Sequence, residues 1–315
     1  PPEGEIIAGT KAAATAHSLA IETLTAKECH ARFPGIVIPK DAEILFEPNA
    51  GFLRVEECVR AYAERAAEFG ATVMAETSVL SWRAEGGRVF GETQATAKDV
   101  LNPDAESADD EASDTAKAQE EPKIKEFDAG QLIICGGPWS GQLMADLGLP
   151  LQVLRKPVVW YQMNESSYRV DQGFPVFGLE VGGRFIYGFP SLDGATMKIA
   201  DHTGGDKVDD PTLVDRKLRP ADTKVLKRFI ADHLPGVTGQ VARHSICMYS
   251  MTPDQHFIVD RHPQHSNVCF AAGLSGHGFK FAPVIGSALA DLATGGRLPK
   301  SLEFLSLGRL ASPAR

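Results

Sequence analysis

The stretch Gly273-Leu274-Ser275-Gly276-His277-Gly278-Phe279-Lys280 sets three glycines, a histidine and a lysine in a row. It follows a β-prone run, Val268-Cys269-Phe270-Ala271-Ala272, and precedes the apolar segment FAPVIGSALADL of residues 281–292. A glycine turn between strand and helix lets backbone N–H groups approach an electron-rich ligand and aims the positive end of a helix at it. Such a turn is equally common as plain structure. Cys247, beside Met248 and Tyr249, is a lone thiol that reads either as a nucleophile or as a small buried hydrophobe. Lys198, in Met197-Lys198-Ile199-Ala200-Asp201-His202, reads as an outward residue of a strand.

The elements that must position these groups follow from periodicity and punctuation. Residues 11–29 suit one or two short helices before Arg32-Phe33-Pro34-Gly35 breaks the pattern. Residues 56–69 place Val59, Tyr62, Ala63 and Ala66 at helical spacing, with Gly70 as C-terminal cap. Two β-prone stretches, 71–74 and 77–82, come next. Gln131 to Trp139 is a short apolar run ending in small residues, the pattern of a buried parallel strand. Residues 153–199 alternate β-rich stretches with Gly, Pro and Asp, which predicts an antiparallel sheet. Residues 223–233 form a further helix with Val225, Leu226, Phe229 and Ile230 on one face, and the segment from Phe281 a helix buried on most sides.

The chain has 315 residues, 43% of them hydrophobic, and a formal net charge of -9, which favours small-molecule chemistry over phosphate-backbone binding. No nucleic-acid partner is expected. No apolar run approaches the length of a membrane span, and no basic-then-apolar signal opens the chain, so the cytoplasm is the default compartment. The five cysteines show no CxxC pair, so reduced thiols are expected and no metal site is read. Residues 102–122, rich in Asp, Glu, Ala and Ser, cannot bury enough apolar surface and are expected to be a disordered acidic insertion.

Cys247-Met248-Tyr249, Met251-Thr252-Pro253-Asp254, His256-Phe257-Ile258-Val259-Asp260, His262-Pro263 and the turn from Ser275 to Phe281 together resemble the sarcosine oxidase and N-methyltryptophan oxidase family of flavoproteins. Weaker similarity runs back through Tyr187-Gly188-Phe189-Pro190, Cys135-Gly136-Gly137-Pro138-Trp139 and Phe46-Glu47-Pro48-Asn49-Ala50-Gly51, so nearly the whole chain is covered. The resemblance implies an FAD-dependent oxidase that takes a secondary amino acid to an imine and passes electrons to O2, giving H2O2. It implies that Cys247 forms a thioether to the flavin ring, that Lys280 meets the substrate carboxylate, and that His277, Tyr249, Tyr187 and His202 line the pocket. It implies that Lys198 stands where oxygen is reduced. It also implies cofactor contacts at Val79, Gly136, Trp139, Gly273, Ser275, Gly276, Gly278, Phe279 and Lys280.

The departure from the family pattern is an absence, since no Gly-x-Gly-x-x-Gly turn for the pyrophosphate follows a strand here. With Pro1-Pro2-Glu3-Gly4 as its opening, the chain is expected to lack an N-terminal dinucleotide-binding segment, as a truncated gene, a fragment or one half of a split protein. A catalytically silent remnant and a flavin dehydrogenase that does not use O2 are the alternatives. The resemblance implies a two-domain α/β fold: an incomplete Rossmann-like FAD domain from residues 40–142 and 248–315, and a substrate domain with an antiparallel or mixed sheet from 1–39 and 143–247. Apolar surface and an open sheet edge are expected on the FAD domain.

Overall fold

A computed structural model describes residues 5–95 and 124–311 of the chain. The expected acidic insertion at 102–122 lies outside the described residues. In chain order the first elements are α1 (Glu5–His17), β1 (Glu22–Leu24), α2 (Ala26–Arg32), β2 (Ile44–Phe46) and α3 (Val55–Glu68). Next come β3 (Thr77–Glu85), β4 (Arg88–Ala95), β5 (Ile124–Ala129), β6 (Leu132–Ile134) and α4 (Ser140–Leu143). The remainder are β7 (Gln152–Met163), β8 (Phe177–Val181), β9 (Arg184–Phe189), β10 (Thr196–Asp201), β11 (Asp206–Val208), α5 (Pro220–His233), β12 (Val237–Met251), β13 (Ile258–Arg261), β14 (Val268–Ala272) and α6 (Ala282–Ala293). The fold is mixed α/β.

The chain divides into two compact units, Pro1–Leu53 with Gln152–Met251, and Arg54–Leu151 with Thr252–Arg315. These divisions differ from the expected boundaries at 39, 142 and 247, for local reasons. β2 pairs with β1 and so stays with the first unit. Met144, Leu147, Leu149 and Leu151 pack with Val268 and Phe270, which keeps them in the second. β12 runs unbroken past Cys247 to Met251 along β7.

The first unit is built on a six-stranded antiparallel sheet in which β7 is the hub, with β12 on one side and β10 and β11 on the other, continuing through β9 to β8. Side chains alternate along a strand, so directly opposed residues share a face. One face carries Val159, Tyr161, Ile186, Met197 and Ile199 against Leu226, Phe229 and Ile230 of α5. Arg155 on that same face, 2% exposed, forms a bidentate pair with Asp222 at 2.9 Å from both oxygens. The helix begins there because Pro220 occupies its first turn and Asp222 accepts from the Arg219 N–H at 2.8 Å. The expected α5 is thus present, longer at its start by three residues than the segment 223–233.

In the second unit β14 is buried along its whole length, antiparallel to β13 and parallel to β6. Cys269 and Ala271 face Ile285, Leu289 and Leu292 of α6. Val268, Phe270 and Ala272 pack with Val89, Ile134 and Met144. β3, β4 and β5 form an antiparallel meander. The parallel strand expected at 131–139 is present as β6, the last of the described strands of its sheet, but it is not wholly buried, Ile133 being 42% exposed. Residues 71–74 are not a strand. α6 buries only Ile285, Ala288, Leu289 and Leu292, one face rather than most sides. α3 forms as expected yet buries nothing, with Val59, Tyr62 and Phe69 exposed, so its apolar stripe is open surface. Among the described residues no helix is long and apolar enough to cross a membrane.

Candidate functional site

The face of the large sheet opposite α5 gathers most of the reactive side chains. β-register places Arg243, Trp160, Lys198 and Phe189 in one row across β12, β7, β10 and β9. The next row on this face is Ser245, Val158, Ala200 and Tyr187. Cys247 lies opposite Lys156 in the row beyond, and Tyr249 follows opposite Leu154. Thus Tyr187, Lys198, Cys247 and Tyr249 are brought to one face, and His202, just past the end of β10, joins them through Tyr249.

The contacts on this face are aromatic, cationic and hydroxylic. The Lys198 Nζ lies 5.1 Å from the ring centroids of both Trp160 and Phe189, and the Arg243 guanidinium carbon 4.1 Å from that of Trp160. Rings hold cations in this way through their negative faces. His202 Nδ1 is 3.3 Å from the Tyr249 hydroxyl, with ring centroids 5.3 Å apart. Burial pushes the Tyr187 phenol up, and its hydrogen bond with Tyr249 pulls it back. Tyr249 is pushed far up, first by burial, then by Tyr187's charge and their shared hydrogen bond. With its pKa so raised, Tyr249 stays neutral through the physiological range. Cys247 is exposed and in no disulfide, as is Cys135; Cys29 and Cys269 are buried.

The second unit holds the other group of expected residues on one turn. Gly273 (φ +63°), Ser275 (φ +47°) and Gly276 (φ +78°) carry the chain from β14 towards α6. A Cβ at Gly273 would sit 2.4 Å from Thr252 Cγ2, and one at Gly278 2.6 Å from Leu274 Cβ, so the close turn demands glycine at both. Ser275 is buried, its hydroxyl donating to Gly273 O at 3.1 Å and accepting from Thr252 N at 3.3 Å. Its side chain braces the turn and only its backbone is left for a ligand. Phe279 and Lys280 begin the helical segment; Lys280 is exposed, Nζ 5.3 Å from the Phe281 ring. His277 is half-buried against Phe257, Nε2 3.1 Å from Gln255 O. Burial holds its pKa below the usual value, with the Gln255 carbonyl opposing and the Lys280 charge adding.

Val79 and Gly136 line a separate cavity of about 460 Å³ in this unit, with Trp82, Val89 and Leu143. Trp139 stands outside that lining, 38% exposed. The expected cofactor residues therefore fall into three local groups: the Cys247 face, the glycine turn, and this cavity with Trp139 beside it.

Sequence reasoning missed Lys156 and Trp160. The alternation of Lys156, Val158 and Trp160 in β7 was a usable signal that they share a face. Which strands flank that face is set by long-range register, which the local pattern does not carry.

A family model described as FAD dependent oxidoreductase matches residues 4–292. A monomeric sarcosine oxidase of Bacillus sp. (strain B-0618) is 37% identical over 316 residues, covering 98% of this chain and 73% of the relative. An N-methyl-L-tryptophan oxidase of Escherichia coli O157:H7 (strain EC4115 / EHEC) is 32% identical, covering 98% and 74%. Among solved structures, the open form of NikD, an amino acid oxidase of nikkomycin biosynthesis, superposes with a TM-score of 0.73 at 21% identity, covering 95% of this chain and 72% of that one. L-proline dehydrogenase from P. horikoshii superposes with the same TM-score at 18% identity, covering 98% and 74%. At those identities the two structures speak for the fold alone.

Proposed function

We propose that this chain, which belongs to the family of FAD dependent oxidoreductases, oxidises a secondary amino acid of the sarcosine type to its imine and delivers the electrons to O2, giving H2O2. The observation that carries this reading is the convergence of Cys247, Lys198, His202, Tyr187 and Tyr249 on one face of the large sheet. An exposed thiol among fixed cations and neutral phenols suits an electron-poor ring that becomes electron-rich on reduction, so the donor set fits a flavin. Bound FAD supplies the two-electron acceptor for the C–H oxidation.

Each unit carries its own residues for the cofactor: in the first, Cys247 would attach it covalently; in the second, Gly273, Ser275, Gly276, Gly278 and Phe279 offer their backbone, and Val79 and Gly136 their side of the local cavity, with Trp139 beside it. Lys280 supplies an exposed, flexible ammonium for the substrate carboxylate. The aromatic surroundings of Tyr187 and Tyr249 favour the neutral amine, because a desolvated ammonium is costly there. Lys198 keeps a cation at a fixed position between two rings, where it stabilises the negative charge that reduced oxygen acquires. His277, depressed below its usual pKa, is neutral at pH 7 and adds no competing charge beside Lys280.

The test is turnover in air by the flavin-loaded full-length protein. One H2O2 per amine oxidised supports the oxidase. Turnover with an artificial electron acceptor but no H2O2 replaces it with a dehydrogenase. Lys280→Met should raise KM for the amino acid far more than it lowers kcat; an unchanged KM removes Lys280 from carboxylate binding.

A further inference from the structure

The sheet ladder beside β7 has a gap. β10 pairs with β7 as far as Val158, and β11 takes up only at Arg155. Between them residues 202–205 leave the sheet, and the Lys156 side chain fills the opening. Lys156 is 2% exposed. Its Nζ donates to the carbonyl oxygens of His202 at 2.9 Å, Thr203 at 3.1 Å and Gly204 at 2.8 Å.

An ammonium has three N–H donors and no acceptor. Three converging carbonyls consume them all, and a neutral amine would turn its lone pair on one of the three. The charged form is therefore the one that fits. Burial pulls the pKa down to about 8, opposed by the Asp201 charge and helped by that of Arg184, so the group remains protonated at neutral pH. Asp201 is itself paired with Arg184 at 2.5 Å. With every donor spent on backbone, Lys156 has none left for substrate and no lone pair to act as a base. What it can do is hold the turn.

That turn begins with His202, whose Nδ1 meets the Tyr249 hydroxyl, and the Lys156 Nζ lies 5.1 Å from the Tyr249 ring centroid. One side chain touches both members of the pair. Gly205, at φ +126°, closes the turn down on it; a Cβ there would lie 3.0 Å from both Arg155 O and Lys156 Cδ. We propose that Lys156 is a positioning residue for the reaction, its ammonium capped by the carbonyls of His202, Thr203 and Gly204 and lying against Tyr249, so that His202 is held in hydrogen-bond reach of the Tyr249 hydroxyl. The inference rests on the reading that this sheet face is the catalytic one.

The experiment is a double-mutant cycle in the flavin-loaded full-length protein, with amide exchange of residues 202–205 as a readout independent of turnover. Lys156→Met should lower kcat by about 10- to 100-fold with little change in KM. In a His202→Ala background the same substitution should change kcat less than about twofold, because its effect runs through His202. Exchange at 202–205 should accelerate while the rest of the sheet keeps its protection. Gly205→Ala, which leaves Lys156 in place and pushes the turn away, should reproduce both effects, and it decides the matter if Lys156→Met does not fold. Equal losses in both backgrounds, or unchanged exchange, overturn the proposal. If the wild-type protein oxidises no amine, the proposed function fails, and exchange at 202–205 still decides whether Lys156 holds the turn.

Discussion

Removing the carboxylate of Asp222 tests the packing that supports the reactive face. Asp222→Asn keeps the volume but removes the charge facing Arg155, whose side chain is 2% exposed against 9% for Asp222. Arg155 also donates to Asp215 O at 2.7 Å and Lys217 O at 2.5 Å, so it stays fixed and cannot follow its charge to water. The asparagine would keep one acceptor and turn an NH2 towards either the guanidinium or the Arg219 N–H that Asp222 now caps. Breaking a buried pair from one side costs about 3–5 kcal/mol. For a domain of roughly 150 to 250 residues each kcal/mol lowers Tm by about 2–4 °C, so the expected loss is about 6–20 °C.

Thermal unfolding followed by circular dichroism measures this, with Asp171→Asn in the exposed Arg169 pair as a control expected to shift by little. Burial pushes the Asp222 carboxyl up, but the Arg155 hydrogen bonds and the Arg219 N–H outweigh it, so its folded pKa is below the usual value. Stability from this group is therefore full above the ordinary carboxylate pKa and is lost as pH falls through the folded one. The gap between wild type and variant should narrow in acid. A Tm loss no larger than that of Asp171→Asn at neutral pH would refute the reasoning.

Lys198→Met should leave the anaerobic reduction of the flavin nearly unchanged and slow its reoxidation in air by about 10²–10³-fold, measured by stopped flow; equal reoxidation rates would detach this cation from oxygen chemistry. For Cys247→Ser, intact mass should lose the one-FAD addition expected of the wild type, while circular dichroism stays the same; an unmodified wild-type mass after flavin loading would end the covalent assignment and leave the oxidase reading in place.

Much of this arrangement was legible in the residues. The strand-turn-helix around Gly273 to Lys280 could be read because glycine at positive φ and an apolar i, i+3, i+4 stripe are local signals. The antiparallel sheet of 153–199 was visible for the same reason. α3 was equally visible as a helix, but its stripe suggested burial that Val59 and Tyr62 do not have, since periodicity reports an apolar face and not what covers it. The alternation of β7 could place Lys156 on a face with Trp160 but not bury it, because a charged residue inside a β-rich run reads as solvent-facing and its burial depends on a turn forty-six residues away in sequence. The division at Met251 lies beyond the expected one because one continuous strand, β12, carries Cys247 past the boundary that motif alignment suggested, and that at Leu151 because Met144, Leu147, Leu149 and Leu151 pack with Val268 and Phe270.

The most direct measurement is anaerobic mixing of the flavin-loaded full-length protein with sarcosine, N-methyltryptophan and pipecolate, following the absorbance of oxidised flavin. At least one of these secondary amino acids should bleach the flavin fully in a single turnover, with primary amino acids of similar size much slower. A flavin that dithionite bleaches but no secondary amino acid does would contradict the central claim.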